Sequence, residues 1–361
     1  MLVHICCSVD GHYFLEELRR EFPNEKLIGF FYDPNIHPYG EYLLRLQDVK
    51  RSCEILNIDL IEGIYNYEAW LKKIRGLEDE PEKGERCTAC FDDRLNETVQ
   101  KAIELDEKSF TTSLLISPLK SQEKLKKIGN DLAQKHNLNF IFRDYRSGKG
   151  AEKQNQAVKI NRLYRQDYCG CIFALSKQRE SQNKLIDETF SPITNQILPN
   201  SIEEKLIFYK NIDSSKIIIK ESFLNYRLLS GKVSINNITV PSRIIFYSHS
   251  EQNNISGKIE YLIDEVAYLN RENIKIISLQ KLNEILNKSL KNIFEIDISI
   301  EDELFIRKFI EKSDFSLSII LIIDSLNNYI NYKFDIEIYS KIYFDNREKL
   351  IHNKLNYQNI K

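Results

Sequence analysis

The sequence predicts a three-layer α/β domain, a mostly parallel sheet with helices on both faces, followed by an α+β region. Three observations carry this reading. Short apolar strand-like runs alternate with amphipathic helical runs through the first half of the chain. All seven cysteines and ten of the twelve glycines precede position 172. Beyond Gln182–Thr189 the composition shifts abruptly to Ile, Asn, Lys, Ser and Tyr. Nearly all-apolar strands that alternate with helices belong to parallel sheets buried on both faces. We place an α/β catalytic domain over residues 1–185 and an accessory α+β domain, without an assigned role, over 186–361, since 361 residues suffice for two cores.

Taken in order, Leu2–Ile5 reads as a strand and Tyr13–Phe22 as a helix with Leu15, Leu18 and Phe22 on one face, stopped at Pro23. Lys26–Tyr32 is a second strand. Leu43, Leu46, Val49, Cys53 and Leu56 recur at helical spacing and predict an amphipathic helix over Gly40–Asn57. Asn57–Glu62 and Tyr67–Ile74 follow as a short strand and a short helix. Phe91, Leu95, Val99 and Ile103 form another helical stripe, and Ser109–Ile116 is a β-rich run. Gln122–His136 is a helix with Leu125, Ile128 and Leu132 inward, and Asn139–Tyr145 is the fifth strand. In the second half, Lys216–Lys220, Ser242–Tyr247 and Ile274–Ser278 read as strands, and Gln280–Ile285 and Asp302–Lys312 as helices.

Ligands of such sheets bind beyond the carboxyl ends of the strands. Cys6-Cys7, Asp33–Gly40, Ser117-Pro118 and Arg146–Gly150 all follow strands and so share one rim. The segments carrying Cys87/Cys90 and Cys169/Cys171 read as loops that fold over it.

Composition excludes several classes. The longest apolar runs, such as that within Ser316–Asp324, fall far short of the roughly 18–20 residues that span a bilayer. The first residues lack the basic region, long apolar core and cleavage site of a signal peptide, so a cytoplasmic protein with no membrane partner is expected. A formal net charge of −2 argues against bulk electrostatic coating of nucleic acid and leaves room for a local basic groove.

In a reducing compartment, C-C, C-x-x-C and C-x-C spacings point to metal ligands or redox thiols rather than to a disulfide scaffold. Cys6-Cys7 joins a strand to a helix, where the positive helix end favours thiolates; adjacent cysteines also suit two small apolar side chains at a strand end. Cys87 and Cys90 have a common spacing for two ligands of one centre, open between zinc, iron–sulfur and dithiol use. Cys169 and Cys171 can reach a common centre or close a small, readily reduced ring, and Gly170 relaxes the backbone for either. Cys53, on a helix's apolar stripe, reads as core. Four thiolates suit zinc and iron–sulfur equally by softness.

The motifs HICCSVD, FYDPNIHPYGEY, ERCTACFDDRL, FTTSLLISPLKS and YRQDYCGC, in this order over about the first 175 to 180 residues, resemble the epoxyqueuosine reductases of the QueH type. The resemblance implies an adenine-nucleotide hydrolase-like α/β fold without an ATP-binding loop, and no SGGxDS-type or Walker loop follows the first strand. It implies an iron–sulfur-dependent oxidoreductase that reduces the cyclopentane epoxide of epoxyqueuosine in tRNA, the last step to queuosine. It further implies a 4Fe-4S cluster on Cys6, Cys7, Cys87 and Cys90, a redox-active pair in Cys169 and Cys171, and an additional iron beside the cluster. Asp10, on the Cys6-Cys7 loop, is then a carboxylate ligand or an acid; its alternative role is a helix N-cap. Val9, Gly40 and Leu119-Lys120 depart from the usual pattern, where a proline, an acidic residue and a Tyr-Gln pair are common. None removes an expected ligand.

Loss of the epoxide oxygen as water takes two electrons and two protons, so the expected partners are tRNA carrying epoxyqueuosine and an electron donor. His37 and Tyr39 sit in a rim loop where aromatics stack on a base or pack the loop. Arg146, Lys149 and Arg165 offer cations to tRNA phosphates or stand as ordinary solvated charge. Two rival readings remain: a zinc-stabilised module that binds tRNA or a partner, and a cluster-free thiol–disulfide oxidoreductase working through Cys169 and Cys171.

Overall fold

A computed structural model describes residues 1–118, 120–190, 196–213, 216–245, 252–271, 273–312, 318–326, 329 and 331–352. The chain divides into two compact units, Met1–Thr189 with Lys205–Lys216, and Phe190–Glu204 with Ile217–Lys361.

In the first unit, β1 (Leu2–His4), β2 (Ile28–Phe31), β3 (Asp59–Glu62), β4 (Ser109–Thr112) and β5 (Asn139–Phe140) form a five-stranded sheet of order β3-β2-β1-β4-β5. Every pairing is parallel; Leu2 faces Ile28 on one side and Phe110 on the other. The flanking helices are α1 (Ser8–Glu21), α2 (Tyr39–Leu56), α3 (Tyr67–Lys73), α4 (Glu85–Glu104), α5 (Gln122–His136), α6 (Gly150–Ile160) and α7 (Ile172–Ser181). Leu2, Val3, Phe14, Phe31, Leu95, Val99 and Phe110 fill the core without exposure, and Cys53 joins them as the sequence predicts. Burial drives the Cys53 thiol up to about 12, so this sulfur is an inert apolar filler. The chain leaves β1 toward β2 on one side and later returns to β4 on the other. The β1/β4 crevice is therefore the topological switch point, where open parallel sheets hold ligands.

Several elements differ from the sequence expectation, each for a physical reason. α1 starts at Ser8 rather than Tyr13, because Gly11 lets the helix lie against β1; a Cβ there would stand 2.7 Å from Ile5 Cγ2. In α2, Leu43 faces outward while Glu41, Arg45 and Asp48 are buried, because the Arg162–Cys171 segment docks on that face. The run Ser109–Ile116 is a strand only to Thr112. There the Thr112 hydroxyl accepts from the Leu114 amide at 3.1 Å and turns the chain into a 3₁₀ turn, Ser113–Leu115. Of Asn139–Tyr145, only Asn139–Phe140 pairs. Cys87 and Cys90 lie in the first turns of α4 rather than in a loop, so helical spacing, not a tight turn, puts them on one side.

After α8 (Ile202–Lys210), the strands β6 (Lys216–Ile235), β7 (Ile238–Thr239), β8 (Ser242–Ile244), β9 (Gln252–Ile263), β10 (Val266–Leu269), β11 (Ile274–Ser278), β12 (Ile319–Ile323) and β13 (Lys333–His352) form an eight-stranded mixed sheet. Its order is β7-β6-β13-β9-β10-β11-β12-β8. Successive residues of β12 point to opposite faces: Leu321 and Ile323 pack with Phe334 and Ile336, while Ile320 and Ile322 pack under α9 (Leu279–Leu286) and α10 (Ile300–Glu311). This is the α+β character expected of the second half. Of the predicted runs Ser242–Tyr247 and Ser316–Asp324, residues 246–247 and 316–317 lie outside the described residues. No helix among the described residues is long and apolar enough to cross a membrane.

His4 ties the centre of the first sheet together. Its Nε2–H donates to the Tyr32 carbonyl at 3.1 Å, and Nδ1 accepts from the Thr112 hydroxyl at 2.8 Å, because a carbonyl can only accept. Burial, then the nearby Arg94 charge, holds the ring neutral with a pKa lowered to about 3. His4→Phe removes a donor from the buried Tyr32 carbonyl and the acceptor of the buried Thr112 hydroxyl proton, and lowers unfolding free energy by about 1–3 kcal/mol in urea denaturation at neutral pH.

Candidate metal centre and dithiol site

β1 delivers Cys6 and Cys7 to the switch point, and the first turn of α1 delivers Asp10. Their ligand atoms all lie within 4.8 Å of one another, and all three residues are buried. Cys6 Sγ stands 3.8 Å from Cys7 Sγ and 3.6 Å from Asp10 Oδ2. A tetrahedral zinc ion with Zn–S near 2.3 Å and Zn–O near 2.1 Å requires edges of about 3.8 Å between sulfurs and about 3.6 Å from sulfur to oxygen. The two observed distances match these edges, so the two sulfurs and the carboxylate are spaced to share one ion.

Supports for this set come from distant parts of the chain. The Cys6 amide donates to Ser113 Oγ at 3.1 Å, and that hydroxyl lies 3.4 Å from Cys6 Sγ. Gln154 Nε2, from α6, donates to Asp10 Oδ1 at 2.8 Å and to the Val9 carbonyl at 3.2 Å. Asp10 therefore does not cap α1, whose N-cap is Cys7.

The second thiol group gathers around Trp70. Cys171 is buried with Trp70 and Ile74, and Cys90, Cys169 and Phe173 pack against them. Cys169 and Cys171 are hydrogen-bonded and unequal. The Cys171 bond, against burial and aided by Lys120 and Arg45, drives the Cys169 thiol well below its ordinary range; the same bond and burial drive Cys171 well above it.

The loop holding this pair is pinned from several sides. Gly170 has φ +98, and a Cβ on it would stand 2.7 Å from Ile36 Cγ1, so only glycine passes there. The Gly170 carbonyl accepts from the His37 amide at 2.9 Å, and Arg45, paired with Glu41 at 2.7 Å, donates to the Tyr168 carbonyl at 3.0 Å. Asn35 donates to the Cys169 carbonyl at 3.4 Å while accepting from Arg94. Arg94 itself pairs with Asp33 at 2.7 Å; burial, against the pull of Arg94 and Arg45, raises Asp33 to about 6.

Residues 1–177 match the family model described as epoxyqueuosine reductase QueH. The epoxyqueuosine reductase QueH of Helicobacter pylori is 41% identical over 346 residues, which cover 90% of this chain and 94% of that protein. The chain belongs to the QueH family. The QueH of Histophilus somni is 34% identical over 51% of this chain and 76% of its own, and that of Thermotoga maritima 31% identical over 51% and 95%. The Helicobacter match therefore runs through both units, whereas these two match about half of the chain.

The structure corrects the cofactor that the QueH resemblance implied. A 4Fe-4S cluster takes four cysteine thiolates, and the expectation placed it on Cys6, Cys7, Cys87 and Cys90 with an additional iron alongside. The ligand atoms brought together are instead those of Cys6, Cys7 and Asp10, a mixed sulfur–oxygen set spaced for one ion. Cys87 and Cys90 are outside it: Cys87 accepts from the Lys83 amide at 3.2 Å, and Cys90 packs with the dithiol. The donor set fits a mononuclear zinc-type site and not an iron–sulfur centre, so the iron–sulfur-dependent description of the enzyme is withdrawn.

The remaining predicted residues are placed as follows. His37 stacks on Tyr67 with ring centroids 4.6 Å apart, and Tyr39, half exposed, lies against Tyr42 and Tyr65. Arg146 donates to the carbonyls of Ser117 (2.8 Å) and Lys120 (3.2 Å) and so braces the rim loop. Lys149 is exposed at the start of α6, and Arg165 donates to Asn155. Sequence reasoning missed Gln154, Ser113, Asn35 and Arg94. The last three lie within the quoted motifs without any spacing that marks them, and nothing local points Gln154 or Ser113 at Asp10 or Cys6.

Two outcomes follow for the metal set. Cys7→Ala removes the bound divalent ion in elemental analysis, whereas Cys87→Ala leaves the metal-to-protein ratio unchanged. Gln154→Leu keeps the ligands but frees the Asp10 carboxylate, and weakens metal affinity by about 10–100-fold in chelator competition.

Proposed function

We propose that the chain reduces the epoxide of epoxyqueuosine in tRNA to the cyclopentene of queuosine, with Cys169 and Cys171 as the reductant. Family membership supplies the reaction, and the observation that supports the residue assignment is the packing of Cys169 and Cys171 side by side against Trp70, on either side of Gly170 at φ +98. The bookkeeping closes. Two C–O bonds break, a C=C bond forms and the oxygen leaves as water, which consumes two electrons and two protons. Formation of one S–S bond from the Cys169 thiolate and the Cys171 thiol releases two electrons and one proton, and solvent provides the second proton. An external two-electron donor then reduces the disulfide, which a C-x-C ring makes readily reducible.

Cys6, Cys7 and Asp10 would hold a divalent ion, which would supply Lewis acidity there. The chain's own groups do the rest. Cys169 brings the reactive sulfur, Cys171 holds a proton on it, and the Asn35 and Arg45 contacts keep both sulfurs in place. Exposed Tyr39 and the His37–Tyr67 stack offer aromatic faces to a base, and Lys149 and Arg165 offer cations to phosphates. A tRNA substrate and a reducing donor support a cytoplasmic reaction.

The test is a single turnover. Pre-reduced protein, freed of donor, converts one equivalent of epoxyqueuosine per chain in tRNA and acquires a Cys169–Cys171 disulfide by mass spectrometry. Cys169→Ser and Cys171→Ser each give none, and conversion by either variant overturns the assignment. Lys149→Glu weakens tRNA binding at low salt and reduces the slope of log affinity against log salt by about one; an unchanged slope removes Lys149 from the interface.

A further inference from the structure

We propose that the outer face of α10 is a self-association surface, on which a second copy of this chain packs its own α10 antiparallel across a two-fold axis. The surface lies in the second unit and does not depend on the reading of the thiols.

α10 carries apolar side chains all round. Ile306 and Ile310 face inward and share one core with Ile320 and Ile322 of β12. The opposite side presents Leu304, Phe305 and Phe309, which are 45%, 53% and 51% exposed. α9 covers the same core through Leu279 and Leu282, yet it turns Gln280 and Glu284 outward. A surface helix keeps its outer face polar, whereas a helix that is apolar all round belongs under a further layer. The outer face of α10 has the composition of an interior.

The charges on that face select what covers it. Glu301 opens the exposed stripe and Lys308 and Lys312 close it, with Leu304, Phe305 and Phe309 between, and helical spacing sets all six on one side. A parallel copy would bring like charges together. An antiparallel copy, centred between Ile306 and Arg307, sets Glu301 on Lys312, Leu304 on Phe309 and Phe305 on the apolar stem of Lys308. Each pairing occurs twice, as a two-fold interface requires, and the stripe is self-complementary at every position. The neighbouring carboxylates are engaged within the unit, Asp302 with Lys288 at 3.3 Å and Glu303 with Arg243 at 3.2 Å. Glu301 and Lys312 make no ion pair among the described residues. Three acidic residues in the first turn disfavour a nucleic-acid backbone as the occupant. The stripe offers a few hundred Å² of surface, less than the roughly 800 Å² per partner of a standard interface, so the pair forms weakly and rising concentration drives it.

Sedimentation velocity of the full-length protein, from sub-micromolar to high micromolar concentration at low salt, tests this. The wild type passes from monomer to dimer. Phe309→Gln weakens the association by about tenfold or more. Glu301→Lys and Lys312→Glu each weaken it by about fivefold, because symmetry counts every change twice, and the double variant Glu301→Lys/Lys312→Glu recovers the wild-type constant. All three positions are exposed, and an unchanged circular dichroism spectrum and melting temperature verify that the variants fold. A wild type that stays monomeric throughout overturns the proposal, as does a dimer indifferent to Phe309→Gln. Failure of the double variant to recover what the single changes lose overturns the antiparallel pairing. Protection of Phe305 and Phe309 from hydroxyl-radical labelling in a monomer, only after tRNA is added, would assign the face to RNA and overturn it too.

Discussion

The site depends on one buried ion pair. Arg94 on α4 and Asp33 after β2 meet at 2.7 Å, both without appreciable exposure. Burying two charges is costly unless further hydrogen bonds satisfy them. Here the guanidinium passes the interaction on to Asn35, and Asn35 to the Cys169 carbonyl, 134 residues from it in sequence. The pair thus converts the packing of a helix against a sheet rim into the posture of a reactive loop. The same charge acts on Cys6, Cys90 and Cys169 together, so one guanidinium biases sulfurs in both the metal set and the dithiol group toward the thiolate.

A division of labour follows between the carboxyl ends of β1 and β4 and the surrounding helices. The strands bring Cys6, Cys7 and Ser113 to fixed positions, and α6 supplies Gln154 to orient Asp10. The dithiol depends on α2 instead, whose buried Glu41, Arg45 and Asp48 receive the Arg162–Cys171 segment through Tyr164 and Tyr168. The Cys6, Cys7 and Asp10 set and the Cys169–Cys171 pair are therefore held by different elements.

Much of this was legible in the sequence. Apolar strand runs and helical stripes located the parallel sheet, and α5 and β11 fall where the periodicity puts them. The motifs identified the family, and the helical stripe marked Cys53 as core. What remained hidden was three-dimensional. Charged residues on an inward helix face, as at Arg45, read as a defect in amphipathicity until the docked segment is known. The sharing of ligands was hidden too, because C-x-x-C spacing says that two sulfurs share a side but not which other sulfurs they meet. Gly11 gave the false start of α1, since a glycine near a helix beginning weakens the helical signal while serving a close approach to β1.

Asn35 carries a consequence of its own. Its amide is read in one direction only, since Arg94 can only donate and the Cys169 carbonyl can only accept. Hydrolysis of that amide to a carboxylate would leave the first contact intact and turn the second into two acceptors facing each other, repelling the loop that bears the thiolate. That side-chain nitrogen holds the loop beside two other donors, the His37 amide and the Arg45 guanidinium.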